Sequence, residues 1–233
     1  MADLNQPRVK RRRVAENPIK TVNNKDDQTF ISHHLRPSSP SWTSWVHPKT
    51  SSSYSLSLKS AGNLSKTELQ ACFDLVEETS RADYEPSSIG WIPSRKKAEM
   101  KSPELKYILV KDGEANLCGF TSLMPTWEEG QPVVYCYEIH LKAELRGTGL
   151  AQQLIGYHEK VAANTSPIEK VMLTCFLSNK SALKFYGKLG FTKDDISPGP
   201  RTLRGGKIIE PDYVILSKEV ARRSNTESNE PAS

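Results

Sequence analysis

Val133-Val134-Tyr135-Cys136-Tyr137-Glu138-Ile139-His140-Leu141, followed closely by Arg146-Gly147-Thr148-Gly149-Leu150-Ala151, is the stretch from which the fold of this chain can be read. The first run is apolar apart from one carboxylate, Glu138, and a histidine. It predicts the longest strand, and apolar residues on both faces predict a central one. The second run predicts a glycine turn that opens a helix near Gly149. Backbone N–H groups at a helix N-terminus bind phosphate, and glycine admits close approach. The turn alone is weak evidence. No Gly-Lys-Ser/Thr follows, so it is not a P-loop, and Gln152 stands where a dinucleotide fingerprint needs its third glycine. An ordinary strand-to-helix turn would read the same way. A buried acid beside a phosphate site points to group transfer from a phosphate-bearing cofactor.

Working outward, Leu64-Ser65-Lys66-Thr67-Glu68-Leu69 carries a capping box (Ser65, Glu68) and a hydrophobic staple (Leu64, Leu69). Leu69, Cys72, Phe73 and Val76 continue it at helical spacing. Tyr84 to Trp91 reads as a loop and Arg95 to Lys101 as a short basic helix. Tyr107 to Val110 and Leu117 to Met124 flank Asp112-Gly113, a hairpin signal. Beyond the glycine turn, a helix over 149–163, a strand over 170–176, a helix over 179–189 capped by Gly190, and a strand over 213–216 complete a mixed α/β domain at 63–220. Within the central strand, Cys136 is expected on the face of Glu138, in a packing role. His140 shares that parity, as a core histidine or a proton relay.

The 233-residue chain has a net charge of +5, unevenly placed. Residues 1–62 hold 10 Lys and Arg against 4 Asp and Glu, a net of +6, which leaves −1 for the rest. A nucleic-acid-binding surface on the folded body is therefore not expected. Residues 1–62, rich in Ser, Pro, Asn and Lys, read as largely disordered, as does the 221–233 tail. Trp42, Trp45 and Tyr54 are unusual there and are candidates to anchor residues 40–60 to the body. Lys10-Arg11-Arg12-Arg13 reads either as a nuclear localisation signal or as a solvated basic tail. Cys72, Cys118, Cys136 and Cys175 lack paired spacing and read as reduced core thiols. No apolar run approaches the roughly 18 residues that span a bilayer. The polar, basic start and Ala2 argue against a signal peptide and N-myristoylation.

Two motifs together carry a resemblance. Arg146-x-x-Gly149-x-Ala151, and downstream Asn179-x-x-Ala182-x-x-Phe185-Tyr186 followed by Leu189-Gly190-Phe191, resemble the GCN5-related N-acetyltransferase (GNAT) superfamily. Tyr135-Cys136-Tyr137-Glu138, Val171-Met172-Leu173-Thr174, Tyr84-Glu85, Gly90-Trp91 and Tyr213-x-Ile215-Leu216 resemble its NatD branch, N-terminal acetyltransferases of histones four and two-A, whose chains begin Ser-Gly-Arg-Gly. The likeness covers roughly 64–218. It implies an α/β GNAT fold, a mixed, mostly antiparallel sheet flanked by helices, with acetyl-CoA as co-substrate and no metal. It implies that Ile139, His140 and Leu141 meet the acetyl-pantetheine arm, that Arg146, Gly147, Thr148, Gly149, Leu150, Ala151 and Gln152 hold the pyrophosphate, and that Asn179 and Tyr186 contact the cofactor. It implies a peptide slot of Tyr84, Trp91, Tyr137, Thr174 and Tyr213, and catalysis by Glu138, as general base through a water, with Tyr137. Ile89 replaces a family aromatic. Glu128 or Glu129 would take the place of a family acid that faces the basic substrate.

The chemistry agrees with the resemblance. An α-amine, with a pKa of about 8, must lose a proton before attacking a thioester. Burial beside Tyr137, Ile139 and Cys136 would raise the Glu138 pKa and strengthen it as a base. The partners expected are histone tails, with no membrane, and the chain is expected as a monomer in nucleus and cytoplasm. The competing readings are a lysine or small-amine acetyltransferase and a non-catalytic chromatin-binding module.

Overall fold

In the computed structural model, which describes residues 17–221, strands β1 (Ser44–Val46), β2 (Ser53–Ser60), β3 (Lys106–Lys111), β4 (Leu117–Glu128), β5 (Gln131–Leu141) and β6 (Lys170–Phe176) lie side by side in that order. β7 (Thr192–Lys193) forms the far edge, and β10 (Tyr213–Glu219) lies between it and β6. β8 (Arg201–Thr202) and β9 (Ile208–Ile209) pair separately. Of the ladders in the large sheet, β5–β6 is parallel and the rest are antiparallel. β5 is central, as its two-sided apolar pattern requires, but β4 exceeds it by one residue, 12 against 11.

Period-2 alternation divides the core. Ile108 and Val110 of β3 point to the face covered by α5 (Leu150–Ala163) and α6 (Lys180–Lys188), with Leu154, Ile155, Val161 and Tyr186. Tyr107 and Leu109 point to the other face, covered by α3 (Lys66–Tyr84) and α4 (Pro93–Glu99), with Cys72, Phe73, Leu75 and Val76.

The expectation of disorder over 1–62 is corrected for 17–62. α1 (Pro18–Asn23), α2 (Asp27–Phe30) and a π-helical turn (Ile31–Leu35) place Ile19, Val22, Phe30 and Leu35 in the α5-side core, all nearly inaccessible. Asn23 Nδ2 donates to the Pro125 carbonyl at 2.9 Å. Asp27 accepts from the Ser60 backbone and hydroxyl and from Asn63 Nδ2. Mean composition misses this because four apolar side chains suffice when a preformed groove receives them. Trp42, Trp45 and Tyr54 pack on the same core, Trp42 edge-on to Tyr157. Lys10 to Arg13 and residues 222–233 lie outside the described residues.

The capping box forms as spelled. Ser65 Oγ accepts from Glu68 N at 3.1 Å, and the Glu68 carboxylate accepts from Ser65 N at 2.8 Å. The same carboxylate takes Lys59 Nζ of β2 and Lys111 Nζ of β3, each at 2.8 Å, and so pins α3 to the sheet. Burial alone would raise the Glu68 pKa. Hydrogen bonds from Lys111, Lys59 and Ser65 N outweigh it and bring the group from 4.5 down to about 2. Because the folded-state pKa is depressed, the stabilisation is complete above 4.5 and disappears as pH falls through about 2. Glu68→Ala should cost about 2 kcal/mol at neutral pH. The deficit should shrink as denaturant titrations are repeated at progressively lower pH, and a pH-independent deficit would refute the ionic account.

Candidate functional site

β5 and β6 stay paired for four residues, Val133↔Lys170 to Cys136↔Leu173, and then part, although β5 runs on to Leu141 and β6 to Phe176. The β4–β5 ladder explains where this happens. It passes from Leu123↔Cys136 to Ser122↔Glu138, so Tyr137 is an extra residue, a bulge that bends β5 away from β6. A cavity of about 630 Å³ opens there, between the diverging strands, the end of α3, the start of α5 and one side of α6.

The bulge also inverts the alternation. Cys136, Ile139 and Leu141 belong to the α5-side core, whereas Tyr137, Glu138 and His140 face α3 and α4. The expectation that Cys136 shares the face of Glu138 therefore fails, because one extra residue moves every later side chain across the sheet. The shared parity of His140 and Glu138 holds.

Glu138, 6 % exposed, sits in a buried charge network. Its Oε1 accepts from Lys96 Nζ at 2.8 Å, and its Oε2 lies 2.5 Å from His140 Nε2. His140 Nδ1 is 2.6 Å from Thr79 Oγ1, which gives its own hydrogen to the Leu75 carbonyl. The expected rise in the Glu138 pKa is overturned. Burial does push upward, but the Lys96 charge and the His140 hydrogen bond outweigh it and bring the carboxyl down to about 2.

The glycine turn is built for an anion. Gly147 and Gly149 have φ of +70° and +89°, and added Cβ atoms would meet nothing within 4 Å. Gly149 caps the 14-residue α5 without any side-chain hydrogen bond, which leaves the first N–H groups free for a ligand. Arg146, Gly147 and Ala151 line the cavity, with Lys184 and Lys188 of α6. Arg146 Nε is held by the Leu141 carbonyl at 3.1 Å. Thr148, Gly149 and Gln152 lie beside the cavity lining rather than in it, and Leu150 is wholly core, so its side chain is not available to a cofactor.

Tyr84, Tyr137, Ile139, His140, Leu141, Thr174, Asn179 and Tyr186 also line the cavity. Asn179 has structural work as well: Oδ1 caps α6 through Ala182 N, and Nδ2 donates to Asp83 at 3.4 Å. Burial raises the Tyr186 pKa well above the phenol range, so it keeps its proton. Trp91 stands behind Tyr84, stacked on Phe73 at 5.7 Å, and outside the lining. Tyr213 pairs with Phe176 at the start of β10, and Glu128 and Glu129 sit at the β4–β5 turn; none of the three lines the cavity. Reading the sequence missed Lys96, Thr79 and Asp83. Lys96 lay within the anticipated basic helix, and nothing local distinguishes it from Lys97. Its spacing from Met100, one turn later on the buried face, was the available signal.

The acetyltransferase (GNAT) family matches residues 69–191. N-alpha-acetyltransferase 40 of Saccharomyces cerevisiae is 32% identical over 173 residues, 61% of this chain and 60% of that protein, so the chain spans about 60% of the length of this curated relative. Among solved structures, Arabidopsis thaliana NAA60 in complex with a bisubstrate analogue gives a TM-score of 0.50 at 13% identity, covering 71% of this chain and 98% of that one. A GNAT-family acetyltransferase of Staphylococcus aureus Mu50 gives 0.51 at 10% identity, covering 71% and 99%. At these identities the structural likeness bears on fold alone.

Two glycines near the site, Gly149 and Gly119, should respond differently to alanine. At Gly149 the positive φ is strained for an L-residue but space is open, so Gly149→Ala should cost about 1 kcal/mol. At Gly119, opposite Leu141 in the β4–β5 ladder, a Cβ would collide with Leu141 Cδ2 and approach the His140 carbonyl to 3.0 Å. Gly119→Ala should cost about 2 kcal/mol or more. Urea titrations of both variants check the ranking, and the reverse order would contradict the packing described.

Proposed function

The chain belongs to the acetyltransferase (GNAT) family, and on that premise we propose that it transfers acetyl from acetyl-CoA to the α-amine of a protein N-terminus. The observation that carries the reading is a single cavity that joins an uncapped helix N-terminus and glycine turn to a buried, ionised Glu138. The 32% identity to an N-alpha-acetyltransferase supports the choice of amine.

The residues fit the carrier. The turn at 146–149 and the first N–H groups of α5 would hold its pyrophosphate, with Arg146, Lys184 and Lys188 supplying positive charge. Backbone groups of Ile139 to Leu141, beyond the end of the β5–β6 ladder, would hold its amide-bearing arm and offer donors to a developing oxyanion. Asn179 and Tyr186 would flank the arm from α6. Acetyl-CoA, when bound, supplies a thioester carbonyl activated for attack by an amine.

Glu138, held ionised, attracts and orients the incoming α-ammonium, whose proton leaves through water in the cavity mouth. His140, braced by Thr79, fixes the second carboxylate oxygen. Tyr186, which keeps its proton, would donate a hydrogen bond toward the departing sulfur. Tyr137 and Tyr84 position the peptide, with Thr174 across the slot on β6. Trp91 backs Tyr84, and Tyr213 lies at the outer edge.

We infer histones four and two-A, beginning Ser-Gly-Arg-Gly, as substrates. Charge supports a basic peptide: Asp83 lines the cavity, and the Tyr137 phenol, pushed up to about 12 by burial, also feels Glu128, Glu99 and Glu104. The protein would act as a monomer in nucleus and cytoplasm, with Lys10 to Arg13 as the nuclear signal. Replacing those four residues with Ala should reduce nuclear accumulation of a fluorescent fusion, and an unchanged distribution would remove that role.

The deciding assay is mass spectrometry of a histone-four N-terminal peptide incubated with acetyl-CoA, beside the same peptide with its α-amine blocked. Acetylation of the free peptide alone, at the terminal Ser, is expected; modification of both peptides at lysine side chains would overturn the N-terminal reading. Glu138→Gln should keep acetyl-CoA binding while turnover falls roughly 10²-fold. Undiminished turnover would take Glu138 out of the mechanism.

A further inference from the structure

Four basic residues crowd α4 and its end, Arg95, Lys96, Lys97 and Lys101, yet Lys96 alone among them is buried, at 7 % exposure. Its stem crosses beneath Tyr84, with Nζ 5.0 Å from the ring centroid, to reach Glu138 Oε1 and Glu99 Oε1, each at 2.8 Å. Lys97, one residue on, stays at the surface over the Phe73 ring and reaches Gln70.

We propose that Lys96 is a positioning residue for the acetyl transfer, holding the Glu138 carboxylate ionised and fixed in rotation so that it meets the substrate α-ammonium as an anion. This rests on the reading of Glu138 given under the proposed function. Each carboxylate oxygen has one partner, Lys96 on Oε1 and His140 on Oε2, so the group cannot turn without breaking a charged hydrogen bond. An isolated carboxylate this deep would take up a proton and lose its attraction for an ammonium group. Glu99, the second acceptor on Lys96, is 37 % exposed, so it can keep Lys96 when the α-ammonium draws on Glu138. Tyr84, which also lines the cavity, places the Lys96 charge directly behind the peptide slot.

Lys96, His140, Tyr84, Tyr107, Tyr186, Cys72 and Cys136 are the titratable groups coupled to Glu138 from α4, β5, α3, β3 and α6, with Glu99 reaching it through Lys96. Burial pushes Glu138 up, and of the influences that bring it down to about 2 the Lys96 charge is the largest. Removing that charge must therefore raise the Glu138 pKa. A rate that needs ionised Glu138 then falls as pH drops through the raised value.

The test is carboxyl NMR on full-length protein labelled with ¹³C at glutamate Cδ, the Glu138 signal being assigned by its loss in Glu138→Gln. Native protein and Lys96→Arg should show a flat Glu138 signal between about pH 5 and 9, above the ordinary carboxylate range. Lys96→Met and Lys96→Gln should bring a titration into that window, and kcat for the histone-four peptide should gain an acid limb at the same pH. The two neutral variants are run together, with near-UV circular dichroism, so that a folding defect in one leaves the other. A flat signal in a folded neutral variant, or a titration with no new limb in kcat, would overturn the proposal. If native protein acetylates no N-terminal peptide, the functional reading fails by itself, and the NMR titration still reports whether Lys96 holds Glu138 ionised.

Discussion

Two parallel strands, hydrogen-bonded for four residues and then forced apart, set the terms for the rest of the molecule. An interrupted ladder leaves backbone donors and acceptors without strand partners, which costs free energy unless something else satisfies them. The opening persists because each strand is braced on its other side. β5 stays laddered to β4 as far as Gly119↔Leu141, and β6 to β10 as far as Phe176↔Tyr213. The bulge at Tyr137 absorbs the change of direction. Gly119, lacking a side chain, lets the β4 backbone pass close to Leu141 and His140 at the end of β5.

That geometry has an electrostatic consequence. One side of the cavity offers the uncapped N–H groups of α5, Arg146, and Lys184 and Lys188 along α6; the other, at the end of α3, offers Asp83 and leads to Glu138. This separation of charge would draw an anionic carrier and a cationic amine to opposite ends of one space, to meet where β5 and β6 diverge. The bulge makes this possible by turning Glu138 toward α3 and α4, where Lys96 and His140 can reach it, instead of toward the apolar packing of α5.

The N-terminal elements complete the body on the α5 side. Phe30 and Leu35 are wholly buried there, and Asp27 ties the segment to Ser60 and Asn63 ahead of α3. Asp27 also lies 3.8 Å from the buried Lys106, whose ammonium donates to the Lys25 carbonyl and the Ser60 hydroxyl. The segment therefore both fills apolar volume and supplies the counter-charge for a lysine inside the sheet.

From α3 to β10, the types and order of the longer elements were legible in the residues because they rest on short-range rules. Short continuous apolar runs mark β3, β5 and β6, period 3.6 marks α3, Ser65 and Glu68 cap α3, and Gly149 and Gly190 stand at positive φ where helices begin or end. The glycine turn and the acid in the neighbouring strand were legible for the same reason, since the turn and the strand are adjacent along the chain. What the sequence by itself determined is thus the longer elements from α3 onward and the candidate chemistry they carry. Tertiary structure decided which face Glu138 occupies, because a bulge is a mismatch between two strands and neither strand records it alone. It decided that Lys96, 42 residues from Glu138, supplies its counter-charge, and that this charge reverses the pKa shift expected from burial. It also decided the order of residues 17–62, whose few apolar side chains gain a core only from a sheet and helix encoded far downstream.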